Sequence, residues 1–134
     1  MRSNAGAKVE LNEKTILLIE DNKIVREMLH EYLKDYFNTF VASDGEEGIN
    51  LYEKHKDKID FIITDIMMPG ICGDGVVEYV REKNKNIPIL CITGACEEDT
   101  MKKIMSYENV KIIGKPFTTS GLHSEIQTMM NKEN

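Results

Sequence analysis

The stretch ILLIEDN, residues 16–22, runs four apolar residues straight into two adjacent acids, Glu20 and Asp21. A short run that is apolar at every position, not at alternate ones, fits a strand covered on both faces. Two like charges at its end then need a reason. That reason depends on what the rest of the chain brings beside them.

Outward from this strand, the same arrangement recurs. Val25, Met28, Leu29, Tyr32, Leu33 and Tyr36 fall at helical spacing and make one apolar stripe. Residues 39–42 read as a short strand, and Ser43 or Asp44 can cap a helix carrying Ile49 and Tyr52. FIIT at 61–64 is the next apolar run, and the DIMMPGICGDG after it holds a proline and three glycines, which require a loop. Val76, Val77 and Val80 mark one side of a third helix, and IPILCIT at 87–93 is a fourth strand. A weaker helix over about 97–107 is expected to turn Met101, Ile104 and Met105 inward. VKII at 110–113 is the fifth strand, and GKPF leads into a last helix with Leu122, Ile126, Met129 and Met130 on one face.

Five short apolar strands alternating with amphipathic helices predict an α/β fold, a doubly wound parallel five-stranded sheet of (βα)5 type. Its crossovers are right-handed, and such sheets bind ligands beyond the carboxyl ends of their strands.

The bulk properties bound the function. A length of 134 residues suits one domain, and 41% hydrophobic with 30% charged residues suits a globular one. A net charge of -6 argues against a general nucleic-acid binder. No apolar run approaches the ~18 residues of a membrane span. The start, MRSNAGAKVELNEK, lacks the apolar core of a secretory leader. Residues 1–13 read as a loose arm or linker and residues 14–134 as the domain. Three cysteines without a CxxC motif read as reduced thiols of a cytoplasmic protein, with Cys91 in the core and Cys72 and Cys96 in loops or at a helix start.

The strand ends carry the chemistry. Glu20 and Asp21 follow strand 1, Asp65 ends strand 3, Thr93 ends strand 4 before Gly94 and Ala95, and strand 5 leads to Lys115 and Pro116. In a parallel sheet these groups converge at one edge. Three carboxylates so placed repel one another, and a hard divalent cation with oxygen ligands, Mg²⁺, relieves the repulsion. On their own, Glu20 and Asp21 would read as charges at a helix start. Asp65 and Lys115 at two other strand ends favour a site.

The motifs, taken together, are specific. The pair ED follows strand 1, D-x-x-M-P-G strand 3, T-G-A strand 4 and K-P-F strand 5. Spacings are 44 residues from Asp21 to Asp65, 28 on to Thr93 and 22 on to Lys115. From about residue 14 to 131 the chain resembles the receiver domain of bacterial response regulators, the single-domain chemotaxis and sporulation types in particular.

The resemblance implies a flavodoxin-like sheet of strand order 2-1-3-4-5. It implies that Asp65 is the phosphate acceptor and that Asp21, assisted by Glu20, holds Mg²⁺ with Asp65 and the main-chain carbonyl of Met67. Lys115 would pair with Asp65 at rest and with phosphoryl oxygens afterwards. Thr93 would swing its hydroxyl toward the phosphoryl group, and the Lys115–Pro116 bond would be cis. The implied donor is a phosphohistidine on a histidine kinase or histidine phosphotransfer protein, docking over helix 1 and the loop after strand 5. The implied output is a change in the face formed by helix 4, strand 5 and helix 5, read by a downstream protein target. It implies no turnover of a separate substrate, no direct contact with nucleic acid or membrane, and a monomer or weak dimer. The chain stops soon after the last helix, so it is expected to be a stand-alone regulator or one domain of a longer protein.

Two departures stand out. Many members carry Tyr or Phe three residues before the lysine; here Ile112, stiff at χ1 and lacking a hydroxyl, stands there. The positions two after the acceptor and two after the threonine are Met67 and Ala95. Neither side chain can hydrogen-bond an attacking water, so slow self-dephosphorylation is expected.

Rival readings are weaker. A flavin carrier would place phosphate after strand 1, where the two acids repel it. A haloacid-type phosphohydrolase needs a second Asp where Met67 stands. A receiver that docks without phosphorylation is the closest rival, favoured slightly by Ile112 and disfavoured by Asp65, Thr93 and Lys115. Met67, Met68, Met101, Met105, Met129 and Met130 read as core filling. His30, His55 and His123 fall on helices with no metal-ligand spacing. Glu97, Glu98 and Asp99 read as helix-start charges. GICGDG lacks the GK[ST] of a phosphate-binding loop.

Overall fold

Residues 13–132 are described by the computed structural model; the expected N-terminal arm lies, Glu13 apart, outside the described residues. The order is β1 (Thr15–Ile19), α1 (Lys23–Leu33), β2 (Asn38–Ala42), α2 (Gly45–His55), β3 (Phe61–Asp65), α3 (Gly73–Lys83), β4 (Ile89–Thr93), α4 (Glu98–Met105), β5 (Val110–Gly114) and α5 (Thr119–Lys132). The strands form one sheet in the order β2-β1-β3-β4-β5, and every neighbouring pair is parallel. Both the α/β class and the strand order agree with the sequence-based expectation.

The reason β1 is apolar from Ile16 to Ile19 lies in the pleat. Successive side chains point to opposite faces. Leu17 and Ile19 pack with Tyr52 of α2, Val76, Val77 and Val80 of α3 and Ile104 of α4. Ile16 and Leu18 pack with Leu29 and Leu33 of α1 and with Leu122, Ile126 and Met129 of α5. Both faces are therefore core, and each buried aliphatic side chain contributes about 1.5–3 kcal/mol.

Helix starts follow local chemistry. Asn22 caps α1 by accepting from the Val25 N–H at 3.0 Å. Of the two candidates at α2, Asp44 is the cap, accepting from the Glu47 N–H at 2.8 Å, and the Glu47 carboxylate accepts from the N–H and hydroxyl of Ser43. At α3 the chain folds back on the strand it has just left. The Gly73 N–H donates to Ile66 O at 2.7 Å, and a Cβ on Gly73 would stand 2.5 Å from Asp65 O. Glycine permits that approach, which braces the backbone of Asp65.

The methionine expectation needs correcting. Met68 and Met129 are buried, but Met67 is 55% exposed, Met105 52% and Met101 36%. Only Ile104 is buried on α4. At about 100° per residue, Met101 and Met105 both lie to the same side of Ile104. This eight-residue helix turns one row inward, leaving its methionines on its flank. Met28 on α1 is likewise exposed.

One buried charge was not foreseen. Arg81 on α3 is 4% exposed, and its guanidinium donates to the main-chain oxygens of Asn84, Ile87, Glu108 and Asn109 at 2.7–3.2 Å. It ties together the entries to β4 and β5, at the end of the sheet opposite the acids.

Candidate functional site

The parallel register brings the strand ends into one line. Asp65 pairs in register with Ile92, beside Thr93, and Thr93 pairs with Gly114, beside Lys115. Glu20 continues β1, its N–H donating to Ala42 O at 3.1 Å. Glu20, Asp21 and Asp65 each offer a carboxylate oxygen within 4.8 Å of the other two. Lys115 Nζ is 3.1 Å from Asp65 Oδ2 and 3.8 Å from Glu20 Oε1.

Burial makes this cluster costly. Glu20 is 1% exposed and Asp65 5%. Glu20 Oε2 accepts from the Asn22 N–H at 3.1 Å, while Oε1 is buried with no hydrogen-bond partner. Loss of water pushes the Glu20 carboxyl up to about 7; Asp65 beside it pushes the same way, and the Asn22 N–H and Lys115 only partly offset this. Partial burial pulls Lys115 down, but its hydrogen bond to Asp65 and the charges of Asp65, Glu20 and Asp21 outweigh that and raise it.

An orphaned buried carboxylate oxygen beside two further carboxylates fits a hard cation. The donor set holds only oxygen, which suits Mg²⁺ over a softer metal. No other group of three potential metal ligands occurs among the described residues. His55 stacks on Phe40 with ring centroids 4.1 Å apart, and His123 Nδ1 lies 2.7 Å from Tyr32 Oη. Cys91 is buried in the core, which pushes its thiol up to about 12; Cys72 precedes α3 and Cys96 sits in the loop after β4.

The remaining candidates fall around Asp65. Thr93 is buried, and its hydroxyl donates to Ala95 O at 3.0 Å, toward its own loop. The Lys115 N–H donates to Thr93 O at 2.8 Å, joining the two strand ends. The Met67 N–H lies 3.4 Å from Asp65 Oδ1, and Met67 is exposed to solvent. The Lys115–Pro116 bond is cis. Ile112 is half-buried on the edge strand β5.

Two contributors escaped the sequence reading. Thr64 is fully buried and its hydroxyl donates to Asp65 O at 2.9 Å. Arg26 donates to the main-chain oxygens of Glu20 and Asp21. A threonine in an apolar strand and a cation on an amphipathic helix carry no local signal of such roles. No helix among the described residues is long and apolar enough to cross a membrane.

Comparison with known proteins agrees with this geometry. The family model for the response regulator receiver domain matches residues 16–127. Hybrid signal transduction histidine kinase D of Dictyostelium discoideum is 33% identical over 121 residues, 89% of this chain and 8% of the kinase. Chemotaxis protein CheY of Pseudomonas aeruginosa is 28% identical over 89% of this chain and 98% of its own length. The crystal structure of a response regulator receiver protein from Sinorhizobium medicae superposes with a TM-score of 0.82 at 27% identity, covering 92% of this chain and 99% of that one. The chain thus spans a small part of some relatives and nearly all of others. With its strand order, its acidic cluster and the Lys115 ammonium beside Asp65, the chain belongs to the response regulator receiver domain family.

Proposed function

We propose that this receiver domain, residues 14–134, accepts a phosphoryl group on Asp65 and signals through the face formed by α4, β5 and α5. The observation that carries the reading is the meeting of Asp65 with the Lys115 ammonium at 3.1 Å and with two further carboxylates within 4.8 Å. In-line transfer needs positioning and charge neutralisation more than covalent help from the protein. An Asp65 oxygen attacks phosphorus, and the bond from phosphorus to the donor's imidazole nitrogen breaks. Mg²⁺, held by Glu20, Asp21, Asp65 and the main-chain carbonyl of Met67, would supply charge stabilisation for the transferring oxygens.

Lys115 stays with the acceptor and meets the new phosphoryl oxygens. Thr93 must give up its bond to Ala95 O before its hydroxyl can turn to the adduct. That exchange links the adduct to the loop before α4, an order of events common in phosphate switches. The donor is a histidine kinase or histidine phosphotransfer protein, and the output is contact with a protein target, not with nucleic acid. The domain acts in the cytoplasm as a monomer or weak dimer and turns over no separate substrate. Relatives titled as histidine kinases and as a chemotaxis protein support this reading. The competing function, docking without phosphorylation, draws on Ile112, which offers no aromatic ring to follow Thr93.

Incubation with Mg²⁺ and a small acyl phosphate, read by intact mass, tests the choice. Wild type should gain one phosphoryl group and Asp65→Asn none. A wild type that gains nothing, or a variant that gains as much, overturns the acceptor role.

A further inference from the structure

We infer that Arg26 is a positioning residue for the metal-binding carboxylates, acting through the backbone that carries them. This rests on the reading of Glu20, Asp21 and Asp65 as a Mg²⁺ site. One guanidinium nitrogen, Nη1, donates to Glu20 O at 2.9 Å and to Asp21 O at 3.3 Å. The oxygen of Glu20 belongs to the peptide plane before Asp21, and the oxygen of Asp21 to the plane after it. A trans peptide is rigid, so a residue's backbone has only two soft rotations, one on each side of its Cα. Holding both flanking planes fixes both rotations. The direction of the Asp21 Cα–Cβ bond is thereby set, which narrows where its carboxylate can stand.

The rest of the loop is held from other directions. The Glu20 N–H is bound to Ala42 O, the Asn22 N–H to the Glu20 carboxylate, and the Arg26 N–H to Asn22 O at 2.8 Å. Arg26 is the fourth residue of α1, one turn in. Side chains there lean back toward the helix start, which brings a long stem to the loop. Its guanidinium is permanently charged and its rigid plane fixes the directions of the two donated hydrogens, where the donors of an ammonium rotate freely. Its positive charge, like that of Lys115, disfavours a second cation, so a loss of Mg²⁺ affinity on its removal reports lost positioning and not lost charge.

Partners that orient metal ligands typically change metal affinity by 10- to 100-fold when removed. Titration of the full chain with MgCl₂ by calorimetry, with thermal melting in the presence and absence of Mg²⁺, tests the inference. Arg26→Ala should bind Mg²⁺ roughly tenfold more weakly, Arg26→Lys should fall between, and the magnesium-induced rise in melting temperature should shrink in the same order. If Arg26→Ala does not fold, Arg26→Lys carries the test by the same two readouts. Variants that melt lower but bind Mg²⁺ as tightly as wild type would reduce Arg26 to a structural brace and overturn the inference while leaving the site intact. A wild type that takes up no Mg²⁺ would overturn the site itself.

Discussion

Lys115, just past the end of β5, places its ammonium 3.1 Å from the carboxylate of Asp65 at the end of β3, across the full width of β4. The same ammonium is 3.8 Å from Glu20. A cation so placed neutralises part of the charge that a bound metal would neutralise. Removing it should have opposite effects on metal binding and on transfer. Lys115→Ala is expected to bind Mg²⁺ about 2- to 10-fold more tightly, because a competing positive charge is gone. It should accept phosphoryl groups more slowly, because the transferring oxygens lose a partner. Calorimetry and timed mass spectra measure the two.

Under the proposed Mg²⁺ site, Glu20 sets stability against metal binding. Its folded pKa of about 7 lies above the ordinary 4.5, so the folded state holds a proton more tightly than the unfolded chain. This contribution is fully present below about pH 4.5 and is lost as pH rises through 7. At about pH 8, the metal-free protein therefore carries a buried charge costing at most about 3 kcal/mol. Glu20→Gln should raise the melting temperature of the metal-free protein at that pH and weaken Mg²⁺ binding. Melts with and without chelator decide it; a variant that is destabilised without metal would contradict the account.

Under the proposed function, Met67 and Ala95 are expected to lengthen the lifetime of an Asp65 adduct. Neither can align a water through its side chain, although the Met67 N–H lies 3.4 Å from Asp65 Oδ1. Replacing Met67 with Asn should shorten the lifetime of the Asp65 acyl phosphate. Decay of the phosphorylated mass after removal of donor gives the rate, and equal lifetimes would remove the role assigned to this position.

Arg81 is a stability element remote from the chemistry. Arg81→Leu leaves the carbonyls of Asn84, Ile87, Glu108 and Asn109 without their charged donor. A loss of about 2–4 kcal/mol is expected in urea unfolding. Mg²⁺ affinity at a temperature where the variant is folded should match wild type, since the strands separate the two ends.

His123 adds a pH dependence of the other sign. Burial against Tyr32, Tyr36 and Phe37 lowers its pKa. The unfolded chain then binds the extra proton more readily, and stability falls as pH drops through the ordinary histidine value of about 6.5. In His123→Phe this slope should be absent. The melting-temperature gap between the two proteins should shift in the variant's favour between about pH 7.5 and 5.5.

By itself the sequence determined the alternation of strands and helices, because burial on both faces demands runs such as ILLI and FIIT, while burial on one face demands the spacing of Val76, Val77 and Val80. It also determined which residues stand at the strand ends, since a parallel sheet gathers those positions without further instruction. Tertiary structure alone decided the rest. It orphaned one oxygen of Glu20, turned the Thr93 hydroxyl toward Ala95, sent Arg26 back to the loop and buried Arg81 among carbonyls. It also left Met101 and Met105 on the flank of α4. Periodicity records which side of an element faces inward. The partner of a polar atom depends on distances between elements far apart in the chain, and those distances exist only once the elements have packed.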